Sequence, residues 1–152
     1  MIGIMLGSIS DMEVMSYCED ILKELKLNYE LIVASAHRNP DKVTKYIKLW
    51  EKQKVKVIIA AAGMSAALPG IIASQTKLPV IGVPMTSDLM GIDSLLSIAQ
   101  MPKGVPVACM SVGKHGAINS ALYAKRILDL MDFEQQRVVD KPLYADYEWK
   151  GW

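Results

Sequence analysis

Cysteine is the first scarcity in this 152-residue chain: only Cys18 and Cys109 are present, one in a helical pattern and one in a strand pattern. They build neither a disulfide framework nor metal-ligand spacing, and they suit a reducing compartment. An excess of charge of one sign is also lacking, with 17 Lys plus Arg against 16 Asp plus Glu. That balance offers no broad field for gripping a nucleic-acid backbone or an anionic bilayer. Neither nucleic acid nor membrane is expected as a partner, and any phosphate must be held by a local group of residues. The opening residues carry no basic leader and no small-residue cleavage site, so a cytoplasmic location is the expectation. Residues 57–76 are uncharged, but Gly63, Ser65, Pro69, Gly70 and Gln75 interrupt the run. It divides into strand, loop and short helix, not a membrane span.

Missing motifs narrow the chemistry further. There is no Walker-type loop, no G-x-S-x-G elbow and no His/Cys/carboxylate cluster at metal spacing, so a metal site and a serine nucleophile are not expected. A phosphate-accepting aspartate is absent from the end of the third apolar run, which closes in Ala60-Ala61-Ala62-Gly63 and so argues against a receiver domain.

What is present is an alternation of short Ile- and Val-rich runs with helical periodicity, undivided by any linker or repeat. Strands are predicted at residues 2–6, 29–34, 55–61, 80–83 and 105–110. The first helix opens with Ser10 and Glu13 at capping-box spacing and shows Met15, Cys18, Leu22 and Leu25 on one face. Asn39 and Pro40 read as the cap and first residue of the second, whose apolar side is Val43, Tyr46, Ile47 and Trp50. Pro69 opens the third near Leu68, a fourth covers about residues 92–100, and a fifth about 116–131 with Ala121, Ala124, Leu128 and Met131 inward. Five βα units in succession predict an α/β fold of three layers, a flavodoxin-like parallel five-stranded sheet with helices on both faces. At 152 residues this is one domain, 1–152, with 132–152 as a C-terminal tail.

Ligands of such sheets sit beyond the carboxyl ends of the strands. Three loops meet that rim: Gly7-Ser8-Ile9-Ser10-Asp11, Ser35-Ala36-His37-Arg38-Asn39-Pro40 and Ala62-Gly63-Met64-Ser65-Ala66-Ala67. In the first, amides and hydroxyls at a helix start suit a phosphate and the aspartate suits ribose hydroxyls, although Ser10 and Asp11 also read as plain helix caps. In the second, Arg38 offers a planar fork to a phosphate and His37 an imidazole able to exchange a proton near neutral pH. The bland alternative is a surface loop with Arg38 paired to an acidic neighbour. His115, the other histidine of the chain, falls near the start of the last helix and reads as solvated.

With Leu68-Pro69-Gly70, Gly91-Ile92-Asp93-Ser94-Leu95 and Gln100-Met101-Pro102-Lys103-Gly104-Val105-Pro106-Val107, these loops resemble the PurE family in order and spacing. The resemblance implies a homo-oligomer, usually an octamer, that acts on aminoimidazole ribonucleotides and carbon dioxide without cofactor or metal. It assigns His37 as general acid and base. Ser8, Asp11 and Arg38 would bind the nucleotide, with Ser10, Ser35 and Ala36 alongside, and Ala62, Gly63 and Leu68 would wall the carbon dioxide pocket. The implied reaction moves the carboxylate of 5-(carboxyamino)imidazole ribonucleotide from nitrogen to ring carbon C4.

The sequence departs from the mutase pattern at Ala67, where a second histidine is usual. The carboxylase branch, which uses free carbon dioxide, also lacks that histidine, and Ser87-Asp88 leans the same way. Arg38 and the stretch 91–107 are mutase-like. Mutase is the main reading, carboxylase the alternative, and a non-catalytic nucleotide- or flavin-binding module the reading from another class. Tyr144, Tyr147, Trp149 and Trp152 crowd the tail, which is expected to anchor on a neighbouring subunit.

Overall fold

A computed structural model describes residues 1–136. Five strands, β1 (Ile2–Leu6), β2 (Tyr29–Val33), β3 (Val57–Ala62), β4 (Val80–Pro84) and β5 (Ala108–Cys109), alternate with α1 (Met12–Glu24), α2 (Pro40–Lys52), α3 (Leu68–Ala73), α4 (Ile92–Ala99) and α5 (Lys114–Gln136). All strand pairs are parallel, in the order β2-β1-β3-β4-β5, the flavodoxin-like arrangement.

Alternation along the central strands divides the core in two. Ile2, Ile4 and Leu6 of β1 with Val57, Ile59 and Ala61 of β3 meet Met15, Cys18 and Leu22 of α1 and the small face Ala117, Ala121, Ala124 of α5. Met5, Ile58 and Ala60 face the other way, toward Val43, Ile47 and Trp50 of α2, Leu68 and Ile72 of α3, and Ile98 of α4. Leu128 and Met131, expected inward, are half-buried. Among the described residues no helix is long and apolar enough to cross a membrane.

Several boundaries differ from the sequence-based expectation. The capping box is not Ser10 with Glu13: Ser8 and Asp11 form it, around a single 3-10 turn at Ile9–Asp11 that precedes α1. Asn39 stands at the cap position of α2, yet its Oδ1 accepts the Ser35 N–H at 2.6 Å and so braces the loop instead of capping the helix. Val55 belongs to the exit from α2, because its N–H donates to the Trp50 carbonyl at 3.0 Å, and β3 therefore starts at Val57. β5 shrinks from the expected six residues to Ala108–Cys109. Pro106 has no N–H for a ladder, and Val105 turns back to the Pro102 carbonyl at 3.2 Å. α5 begins at Lys114 and runs to Gln136, into the segment expected as tail; the aromatic residues beyond lie outside the described residues.

Gly3 shows how tightly α2 is seated on the sheet. A Cβ there would lie 2.6 Å from Trp50 Cε3, and Trp50 is itself fully buried with Nε1 donating to Glu30 Oε2 at 2.7 Å. The indole is fixed by that bond and by its packing, so it has nowhere to retreat. Gly3→Ala is expected to lower the unfolding free energy by about 1–3 kcal/mol, the usual cost of overpacking, measured by urea titration followed by circular dichroism. Wild-type stability in that variant would show that α2 rides more loosely than described.

Candidate active site

Four loops leave the carboxyl ends of β1, β2, β3 and β4 and enclose one open cleft of about 770 Å³. The first three were singled out from sequence; the fourth, Thr86, Ser87, Asp88 and Leu89 with Asp93 behind it, was not assigned to the site. Its signal was available, since β4 is parallel to β3 and its carboxyl end falls on the same rim.

The loop after β1 is organised by Ser8. Its N–H donates to Asp11 Oδ2 at 3.1 Å, while its Oγ accepts from the Ser10 N–H at 3.3 Å and from the Ser10 hydroxyl at 2.8 Å. With two donors already on its oxygen, Ser8 has its own proton left to give, and the cleft lies in front of it. Asp11 is 8% exposed. Burial pushes its carboxyl above the ordinary aspartate range, opposed by hydrogen bonds from Ser8 and Ser10.

The loop after β2 repeats this logic. Ser35 Oγ accepts the Arg38 N–H at 3.3 Å, which again leaves the hydroxyl proton for an outside acceptor. Ala36 is buried beneath, and His37 and Arg38 are exposed at the cleft wall. The bland reading of this loop fails on one count: among the described residues no carboxylate forms an ion pair with Arg38. Two serine hydroxyls and a guanidinium thus line the cleft from the loops after β1 and β2, donors of the kind that suit a phosphate.

The loop after β3 supplies an apolar wall. Ala62, Ala66 and Leu68 are buried, and Ala66 and Ala67 close tight turns onto the Met64 and Ser65 carbonyls at 2.8 and 2.6 Å. Met64 takes a left-handed φ of 56° and is 69% exposed. Gly63 and Ala67 line the cleft beside them. Every residue assigned to the site from sequence, namely Ser8, Ser10, Asp11, Ser35, Ala36, His37, Arg38, Ala62, Gly63 and Leu68, lines this one cleft. His115 does not; it is exposed in the first turn of α5.

On the β4 side, Ser94 is fully buried, and its hydroxyl lies 2.7 Å from the Met85 carbonyl and 2.9 Å from that of Gly91, tying α4 to the end of β4. The Ser87 Oγ sits 2.7 and 2.8 Å from the two carboxylate oxygens of Asp93. That hydroxyl is the main cause that holds the Asp93 carboxyl below the ordinary range. Among the described residues no group of three or more His, Cys, Asp or Glu side chains could hold a metal ion.

The raised carboxyl of Asp11 has a consequence for stability. A group that binds its proton more tightly folded than unfolded favours folding below the ordinary aspartate pKa, and the advantage is lost as pH rises through the folded value. Asp11→Asn keeps an acceptor for the Ser8 N–H and removes the buried charge. Its melting temperature relative to wild type is therefore expected to climb as pH rises from below the ordinary aspartate pKa through the raised folded value. A difference that stays flat or moves the other way would show that Asp11 is not held in the protonated direction.

Comparison with known proteins places this cleft in context. The family model described as AIR carboxylase matches residues 1–143. The N5-carboxyaminoimidazole ribonucleotide mutase of Bacillus subtilis (strain 168) is 51% identical over 142 residues, spanning 93% of this chain and 88% of that protein. The protein of the same name from Saccharolobus solfataricus is 52% identical over 130 residues, 85% of this chain and 81% of its own. Among solved structures, Treponema denticola PurE superposes with a TM-score of 0.78 at 32% identity, covering 88% of this chain and 82% of that one. A family match over almost the whole length, with relatives near half-identical and the same fold, leads to one conclusion: the chain belongs to the AIR carboxylase family.

Proposed function

We propose that the protein is a 5-(carboxyamino)imidazole ribonucleotide mutase of purine biosynthesis, transferring the carboxylate from the exocyclic nitrogen to ring carbon C4. The observation that carries this reading is the convergence of His37, Arg38, Ser8 and Asp11 with the alanine-lined turn after β3 in one cleft. Relatives about 50% identical that bear the mutase name support it.

In this reading the donor end of the cleft takes the phosphate: Arg38 as a planar fork, Ser8 and Ser35 through their unspent hydroxyl protons, and Ser10 beside them. The remaining acceptor capacity of Asp11 takes ribose hydroxyls. Binding energy from the phosphate, remote from the reacting atoms, holds the ring in register with His37. The carbamate leaves as carbon dioxide and its nitrogen takes a proton from the His37 imidazolium. C4 then bonds the trapped gas, and the neutral imidazole that remains accepts the C4 proton. Acid–base help of this kind contributes about a hundred- to ten-thousand-fold. Ala62, Gly63, Ala66 and Leu68 keep the gas beside the ring, so recombination behaves as an intramolecular step.

The carboxylase alternative rests on Ala67, which stands where mutases usually carry a second histidine, and on Ser87-Asp88; the family model is described as AIR carboxylase, whereas the individual relatives carry the mutase name. Assembly into a homo-oligomer belongs to the same proposal. Ile92 and Leu96 on α4, with Leu89 and Met90 before it, are each more than half exposed, apolar surface of the kind a subunit contact covers.

Three measurements test the proposal. The protein is expected to convert the carbamate-bearing nucleotide without added bicarbonate, whereas activity that appears only with aminoimidazole ribonucleotide and dissolved carbon dioxide would assign the carboxylase reaction instead. His37→Asn is expected to lose at least a hundredfold in kcat with nucleotide affinity largely retained. Arg38→Ala is expected to act mainly on KM; a pure kcat effect there would contradict the phosphate role.

A further inference from the structure

Resting on the mutase reading, the structure points to one further substrate-facing residue: we infer that the Asp93 carboxylate, positioned by Ser87, lies against the exocyclic nitrogen of the aminoimidazole and stabilises the positive charge that develops there as C4 bonds carbon dioxide. Three observations carry this. Asp93 and Ser87 both line the cleft, on the side of β4. The strand order puts three inter-strand steps, roughly 14 Å, between the loops after β2 and β4, so a nucleotide whose phosphate is held at Arg38 presents its base toward β3 and β4. The Ser87 hydroxyl, 2.7 and 2.8 Å from the two carboxylate oxygens, donates its one proton to the carboxylate and orients it, and the backbone behind is locked by the buried Ser94.

A carboxylate on the wall of a site for an anionic nucleotide must face a donor or a cation, or it opposes binding. The ring chemistry supplies one. When C4 attacks carbon dioxide, the exocyclic nitrogen gives its lone pair to C5, the C4–C5 π pair forms the new carbon–carbon bond, and one carbon–oxygen π pair moves onto oxygen. The intermediate has a C5=N iminium and a new carboxylate. Loss of the C4 proton to His37 returns the electron pair to the ring and neutralises the nitrogen. The iminium is the only cation formed on the substrate, and a preorganised anion beside it acts in that step and far less in the ground state. The Ser87 hydroxyl first, and then the backbone amides in the first turn of α4, favour the charged form of Asp93.

Steady-state kinetics of Asp93→Asn, Ser87→Ala and Ser87→Thr in the full-length protein test the assignment. Asp93→Asn, near-isosteric and uncharged, is expected to lose about a hundredfold in kcat with KM within about threefold of wild type. Ser87→Ala is expected to lose about tenfold, and Ser87→Thr, which restores the hydroxyl, to recover most of it. Wild-type kcat in Asp93→Asn would overturn the inference. So would a rise in KM alone, or a loss shared by kcat and KM together with a lowered melting temperature, which would make Asp93 a structural residue of α4. Absence of turnover in the wild-type protein would overturn the mutase reading as well, and His37→Asn measured alongside separates that outcome from failure of the Asp93 assignment alone.

Discussion

Parallel pairing of β1 with β2 on one side and β3 on the other is the constraint on which the rest depends. Parallel strands must all end at the same edge of the sheet, so the loops after β1, β2, β3 and β4 have no choice but to meet there. The strands themselves are nearly chemistry-free; their polar backbone is spent on the ladder and their side chains on two apolar cores. Specific chemistry is thus confined to the few residues of each loop. A change in pairing order would scatter His37, Asp11 and the turn after β3 to different places without altering any of those loops.

That division explains what could be read from the sequence and what could not. Apolar runs in β1, β3 and β4 are buried on both faces, which gives an unbroken signal, and the three loops after β1, β2 and β3 carried enough hydroxyls, charge and small residues to be picked out. The failures lie where one local pattern competed with another. Ser8, Ser10, Asp11 and Glu13 offer two overlapping capping frames, and only the interposed 3-10 turn selects Ser8 with Asp11. Asn39 looks like a cap, but its amide is drawn to the Ser35 N–H by the turn that holds His37 and Arg38. Val105 and Val107 look like strand, but Pro106 between them forbids the ladder. Asp93 was hidden because its partner, Ser87, lies six residues away across a turn with left-handed Met90 and Gly91, a geometry that side-chain spacing does not announce.

The electrostatics of the cleft follow a single economy of protons. Ser8 and Ser35 accept hydrogen bonds from within their own loops, so each is turned into a net donor toward the cleft, and Arg38 adds a guanidinium without a carboxylate partner among the described residues. Those groups favour an anion at the β1–β2 end. Asp11 and Asp93 are acceptors, and their environments push them in opposite directions: burial raises the first, while a chelating hydroxyl lowers the second. The same chemical group is thereby given two characters in one cleft, which suits the two roles proposed for it, a hydroxyl-reading contact at Asp11 and an anion at Asp93.

Ala67 finally bears on why one imidazole is sufficient. In the proposed reaction, moving a carboxylate from the exocyclic nitrogen on C5 to the neighbouring ring carbon C4 requires a proton delivered to nitrogen and another removed from carbon, in that order. An imidazolium that has given its proton is left as the neutral base the second step needs, and when that step is complete it is restored to the form in which it began. No second acid–base group has to balance the cycle, provided the carbon dioxide does not escape and the ring does not move between the two transfers. In the proposed reaction both conditions would fall on the scaffold: retention on the buried Ala62, Ala66 and Leu68, and immobility on a phosphate held at Arg38, Ser8 and Ser35. A small residue at position 67 then widens the apolar wall at no cost to the proton inventory.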